Sequence, residues 1–358
     1  MKKRIFQLGI LLIVLAFAVC AATQIAWANP KHQHLKVYVI GDSLSDPGNL
    51  WKFTYDRYGP TGAWPPGPPP YGPNQMRFSN GPVWTEYFAD KLGVEVDSLA
   101  YGGAFTGVYD LPLGPGGTEL PFSNLNSIQD PPAIYPLPGV HDEVEELLAD
   151  HPGGLDPDPL YVIWAGANDF FLGLALDSLD SILAQAVQNI ADTVCTLSAS
   201  GARHFAVVNL PDIGLSPFAT SQGPEAAHYI SLKTAQFNRD LRKALATLPK
   251  GCAKTMVILD SFRFLRQIVR HPEAYGLENV TEPCLIVYED GSYDVCAEPD
   301  KYLFWDTAHP TTAAHALLAD HFVAEFCGCN LHYQYWGRHG HWGVQPPLIW
   351  RELCHGAR

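Results

Sequence analysis

KVYVIGDSLSDPGN, residues 36–49, decides how this chain is read. An apolar, β-branched run ends in Gly41-Asp42-Ser43 and then turns through Asp46, Pro47, Gly48 and Asn49. Residues 35–40 are continuously apolar apart from Lys36, the pattern of a strand covered on both faces rather than one facing water. Such a strand holds the residue that follows it at a fixed place on the edge of a sheet. That residue is Ser43, whose hydroxyl becomes a nucleophile only if the chain supplies a base and a carboxylate. Asp46 and Asn49 read as turn formers that stabilise the loop after it.

Outward from this strand, the pattern alternates. Helical spacing at 83–92 is followed by a short strand near 94–97, and LYVIW at 160–164 is a second buried strand. Helix is expected at 179–197, 226–248, 262–270 and 311–326, and strand at 204–210, 256–259 and 302–305. Strands alternating with helices imply parallel crossovers, hence an α/β layered fold. Two stretches interrupt it. Residues 59–73, GPTGAWPPGPPPYGP, read as a stiff loop carrying Trp64 and Tyr71, because proline lacks the N–H that a helix or central strand needs. Those two aromatics either line an apolar entrance or pack as ordinary loop residues. Residues 106–140, rich in Gly, Pro, Ser and Asn, read as a second long loop. No repeat and no linker divides the chain, so one domain with insertions is expected.

The formal net charge is -14, with 37 acidic against 23 basic side chains. That balance excludes a nucleic-acid partner, which requires a basic face, and disfavours electrostatic docking on anionic lipid. Lys2, Lys3 and Arg4 precede an apolar run at 8–19 and then Ala26-Trp27-Ala28. This is the layout of a signal peptide, residues 1–28, cleaved after Ala28, so a secreted or periplasmic location is expected. Seven cysteines remain after cleavage, which suits an oxidising compartment but leaves an odd thiol. Cys284 and Cys296, bracketing a short acidic loop, are the first expected pair; a bond from Cys327 or Cys329 to Cys354 would tether the tail. None of the spacings makes a zinc site, and no cofactor is called for. Oligomeric state is not legible.

In an open parallel sheet, the functional crevice lies beyond the carboxyl ends of the strands. Ser43 follows the first strand, Gly102-Gly103 (LAYGGAF) the second, Asn168 the strand LYVIW, and Asp306 and His309 the strand YLFW. A serine nucleophile needs a histidine to take its proton and a carboxylate to orient that histidine. His309 fits the first role and Asp306, three residues earlier, the second. The tetrahedral intermediate needs hydrogen-bond donors, which the backbone N–H groups of Ser43 and Gly103 and the Asn168 side chain would provide. Asp169 either orients Asn168 or caps the next helix. His315 with Asp306 and His309 could in principle ligate a metal, but the serine-centred arrangement accounts for the last two without one.

GDSLSDPGN, YGGA, GAND and DTAHPT, in this order, resemble the four blocks of the GDSL or SGNH hydrolases. The resemblance spans residues 35–326, with long unmatched stretches between blocks. It implies a three-layer α/β/α sandwich of flavodoxin-like type, with Ser43 as nucleophile, Asp306 and His309 as its partners, and Gly103 and Asn168 in the oxyanion hole. It also implies a hydrolase domain at 29–330, with residues 331–358 as a tail packed on it. MRFSNGPVWTEYFA at 76–89 resembles the lipase and acyltransferase branch, but with Met76 where glycine is usual. The implied activity is cleavage of a small-molecule or lipid ester, with transient contact with a lipid surface. Hydrolysis and acyl transfer are left open. The alternatives are a carbohydrate-ester deacetylase and an inactive binding protein on the same scaffold.

Overall fold

The computed structural model describes residues 35–66, 71, 76–111, 120–127 and 137–327. The cleavage site expected after Ala28 and the tail at 331–358 lie outside them. In chain order the strands are β1 Lys36–Gly41, β2 Glu95–Ser98, β3 Ala104–Leu111, β4 Leu120–Asn124, β5 Leu160–Trp164, β6 His204–Val208, β7 Thr255–Leu259, β8 Asn279–Pro283, β9 Leu285–Val287, β10 Tyr293–Val295 and β11 Tyr302–Phe304. The helices are α1 Asn49–Tyr58, α2 Trp84–Leu92, α3 Val140–Asp150, α4 Ala167–Ala175, α5 Leu179–Ala199, α6 Pro217–Ser221, α7 Pro224–Ala246, α8 Ser261–Arg270 and α9 Thr312–Phe326. Among the described residues, no helix is long and apolar enough to cross a membrane.

The central sheet is parallel throughout, in the order β2-β1-β5-β6-β7. Side chains alternate across it, as the period of two requires. Tyr38, Ile40, Tyr161, Ile163, Phe205 and Val207 pack under α3, α5 and α7. Val37, Val39, Val162, Trp164, Ala206 and Val208 pack under α2, α8 and α9. Covering both faces explains why these strands read as continuous apolar runs, and it makes the expected three-layer sandwich. Strand order reverses between β1 and β5, the point at which an open α/β sheet leaves a crevice at its carboxyl edge. Their register, Val37 opposite Leu160 through Gly41 opposite Trp164, brings the two strand exits side by side.

Two expectations need correction, and the reading of Asp46 and Asn49 as turn formers holds, with a helix added. β11 is not a strand of the central sheet: it pairs in parallel with β8 in a separate two-stranded ribbon. Residues 106–140 are not wholly loop, because β3 and β4 form an antiparallel pair. The turn after Ser43 runs directly into α1, whose first N–H groups, at Asn49 and Leu50, donate to the Asp46 carboxylate. Asn49 donates from its side chain to the carbonyls of Ser98 and Ala100. Disulfides join Cys284 to Cys296, as expected, and Cys195 to Cys252. Cys327 is also disulfide-bonded, whereas Cys329 and Cys354 lie outside the described residues.

Candidate active site

The loop after β1 carries Ser43 to the crevice, and the segment after β11 brings His309 to meet it. His309 Nε2 lies 2.8 Å from Ser43 Oγ. On its other side, His309 Nδ1 lies 2.8 Å from Asp306 Oδ2 and 3.0 Å from Oδ1. Asp306 also accepts the backbone N–H groups of Ala308 and His309, at 2.9 and 2.7 Å, and the phenol of Tyr71. Burial pushes the Asp306 carboxyl up, but the His309 charge and these donors outweigh it and hold it below the usual carboxylate range. Burial pushes the His309 imidazole down, but the Asp306 charge and hydrogen bond, aided by Asp42, raise it above its ordinary value. A base so paired accepts a proton readily.

Gly103 and Asn168, the expected oxyanion donors, line the same cavity as Ser43. Gly103 sits at φ 84°, a conformation that favours glycine, and an added Cβ would come within 2.5 Å of the Asn124 and Asn126 side chains. Those asparagines hold the turn by donating to the Gly102 carbonyl, at 2.9 and 3.0 Å. The Gly102 N–H is taken by Asp46 at 2.8 Å. The N–H groups of Gly103 and Ser43 have no hydrogen-bond partner among the described residues. Asn168, at the start of α4, donates one Nδ2 hydrogen to the Ala104 carbonyl at 3.0 Å, leaving the other. Asp169 is a buried anchor rather than a helix cap: it accepts Thr106 Oγ1 and Tyr109 OH at 2.6 Å each and thereby fastens β3 beside Asn168.

The block at 76–89 turns out to clamp the histidine loop. Ser79 Oγ donates to the Pro310 carbonyl at 2.9 Å, and Thr312 N–H donates to Asn80 Oδ1 at 2.8 Å. The Phe78 ring lies 5.1 Å from the His309 ring. His315 is fully buried, with Nδ1 accepting the Trp84 N–H at 3.3 Å, so it serves packing. Met76 has φ 34°, the backbone conformation that glycine would adopt without strain.

Sequence reasoning missed Tyr71 as a partner of Asp306, and it missed Glu143 entirely. Glu143, fully buried on α3, accepts the N–H groups of Gly41 and Tyr101 at 2.7 and 3.1 Å, bracing the exits of β1 and β2. Burial raises its carboxyl well above the ordinary value. Burial likewise raises Asp42 to about 7, against the pull of the Leu44 N–H and His309, and Asp46 to about 6. Neither the internal acid of a helix nor a contact across 235 residues leaves a periodic trace in sequence.

The serine opens into a cavity of about 800 Å³. Its walls are largely apolar and aromatic, with Ser43, Gly103, Asn168, Asp306 and His309 among the few polar groups. That combination of an apolar cleft and a few convergent polar groups is the usual form of a small-molecule site.

The family model described as GDSL-like Lipase/Acylhydrolase matches residues 37–322. The chain is 27% identical over 341 residues to the phosphatidylcholine-sterol acyltransferase of Aeromonas hydrophila, covering 82% of this chain and 90% of that protein. It is 26% identical over 299 residues to the thermolabile hemolysin of Vibrio parahaemolyticus, covering 80% of this chain but 62% of that protein. The chain therefore spans less than two thirds of the hemolysin. A GDSL esterase/lipase of Arabidopsis thaliana is 26% identical, with 82% of this chain and 90% of that protein covered. Among solved structures, an acetylxylan esterase of Geobacillus stearothermophilus is similar at a TM-score of 0.43 and 14% identity, over 82% of this chain and 94% of that one.

Proposed function

This chain belongs to the GDSL-like lipase and acylhydrolase family, and from that membership we propose an exported serine hydrolase that cleaves carboxylic esters with a long-chain acyl group. The observation that carries the mechanism is the line of two 2.8 Å contacts from Ser43 through His309 to Asp306. His309 Nε2 takes the Ser43 proton as Oγ attacks the ester carbonyl, and Asp306 stabilises the imidazolium. The oxyanion forms among the N–H groups of Ser43 and Gly103 and the Asn168 amide. His309 then gives its proton to the departing alcohol, and water (or an acceptor alcohol) attacks the acyl-enzyme by the same steps.

An apolar cavity of about 800 Å³ beside the nucleophile supports a lipid ester over a sugar ester, because sugar hydroxyls would lose their hydrogen bonds against such walls. The names of the Aeromonas and Arabidopsis relatives point the same way. Export is supported by the leader-like sequence at 1–28 and by the disulfides at Cys195–Cys252 and Cys284–Cys296, since such bonds persist in oxidising compartments.

The test is turnover of p-nitrophenyl esters from acetyl to palmitoyl, together with labelling by a fluorophosphonate. Ser43→Ala should abolish both while leaving the circular dichroism spectrum unchanged. Absence of turnover and labelling in the wild type would sink the enzyme reading, and retained activity in the variant would mean another nucleophile.

A further inference from the structure

The cavity at Ser43 has two unlike parts. One side is open and rimmed by the Pro-rich loop, where Trp64 is 38% exposed, and by Phe171 and Leu174 of α4. The other belongs to the α8 and α9 side of the sheet, where the lining residues are more deeply buried. There it is lined by Phe264, Leu265 and Ile268 of α8, Leu303 of β11, and Ala314 and Leu318 of α9. Positions 261, 264, 265 and 268 form one stripe at helical spacing, and 314 and 318 form another. Leu265 is half-buried, and the other five apolar liners are only 2–7% exposed. This lobe is therefore enclosed by the same side chains that cover one face of the sheet.

Its side-chain acceptors already have partners, and Trp164 Nε1 is the buried donor left without one. Ser261 Oγ donates to the Asn209 carbonyl. Asp212, which also lines the cavity, accepts Ser231 Oγ and Arg266 Nη1 at 2.6 Å each. Beyond that single donor a hydroxylated or charged ligand would find little to pair with there, whereas an unbranched hydrocarbon needs no partner.

Resting on the ester-hydrolase reading above, we propose that the slot between α8 and α9 is the acyl-chain subsite and that the open side takes the alcohol part of the ester. The chemistry requires this division. When Ser43 Oγ bonds to the acyl carbon and the carbon–oxygen bond to the alcohol breaks, the alcohol leaves with the proton from His309. Water must then reach the same carbon while the acyl chain stays in place. An enclosed lobe can hold the chain through both steps, and only the open side can exchange alcohol for water.

The experiment compares kcat/KM for p-nitrophenyl laurate and acetate in the wild type, Leu265→Trp and Leu174→Trp, with circular dichroism as the check of folding. Each methylene the slot accepts is worth about fourfold in kcat/KM. Leu265→Trp should thus lower the laurate-to-acetate ratio by at least about tenfold, and Leu174→Trp should leave that ratio within about threefold. Leu265→Phe, a smaller change that keeps the inference testable if tryptophan is not accommodated, should lower the ratio by about threefold or more. An unchanged ratio in a folded Leu265 variant, or a collapse in Leu174→Trp alone, overturns the assignment. A wild type inactive on every ester overturns the hydrolase reading instead, so the two failures are distinguishable.

Discussion

Tyr71→Phe tests whether the carboxylate of the triad is tuned from outside it. The phenol donates to Asp306 from a position 235 residues away in sequence, and burial beside that carboxylate raises the Tyr71 pKa far above its ordinary value, so it stays a donor at every working pH. Phenylalanine keeps the ring and removes only the donor. A hydrogen bond to a charged group is worth about 1.5–3 kcal/mol. Asp306 retains the Ala308 and His309 N–H groups at 2.9 and 2.7 Å, so the net loss should be smaller, about 1–2 kcal/mol of carboxylate stabilisation, which bounds the change in the pairing with His309 at about one pH unit. The sign of the pH effect follows from the same contact. With one donor fewer, Asp306 offers more of its charge to His309, the imidazolium becomes more stable, and the base must lose its proton at higher pH. The acidic limb of the kcat/KM profile on p-nitrophenyl butyrate, which reports the essential base in the free enzyme, should therefore move upward. An acidic limb that stays where it is, or moves to lower pH, would refute the reasoning.

Other outcomes follow from the surrounding contacts. Asn168→Ala removes the proposed oxyanion donor and should lower kcat by about 10²–10³ with little change in KM; a loss confined to KM would assign the side chain to substrate binding. Asp42 has a folded pKa of about 7 against an ordinary 3.8, so the folded state holds more protons between these values and the contribution of Asp42 to stability is lost as pH rises through that window. Asp42→Asn should therefore lose less stability than the wild type between pH 5 and 8 in urea unfolding, and equal losses would count against it. Met76→Gly relieves a positive φ that costs roughly 1–2 kcal/mol while loosening the unfolded chain by about as much. Its melting midpoint should match or exceed that of the wild type, and a loss above about 1 kcal/mol would contradict the backbone argument.

The parts of the fold that were legible are those in which burial writes a pattern. β1, β5 and β6 are covered on both faces and spell continuous apolar runs, and α5 and α7 carry one apolar stripe each. The residues meeting at the crevice were legible because each follows a strand or a glycine turn. What escaped was set by partners distant in sequence. α3 buries Glu143 on its inner face, which breaks the apolar stripe a reader looks for, and α1 hides behind a Pro-Gly-Asn turn. β11 reads like a sheet strand, yet it pairs with β8 because the central sheet ends at β7. The block at 76–89 could be matched to a branch of the family, but its work of holding the histidine loop emerges only when Ser79 and Asn80 are seen against Pro310 and Thr312.

The sequence separation of 266 between Ser43 and His309 also sets a timetable. Synthesis runs from the amino end, so the nucleophile is made first and its base among the last elements described, just ahead of α9. Until that late segment docks against Ser79 and Asn80, the serine is an ordinary alcohol facing an apolar cleft. This order separates manufacture from assembly: the serine waits on the growing chain without its histidine, and the line from Ser43 through His309 to Asp306 is completed only when the closing elements have been made.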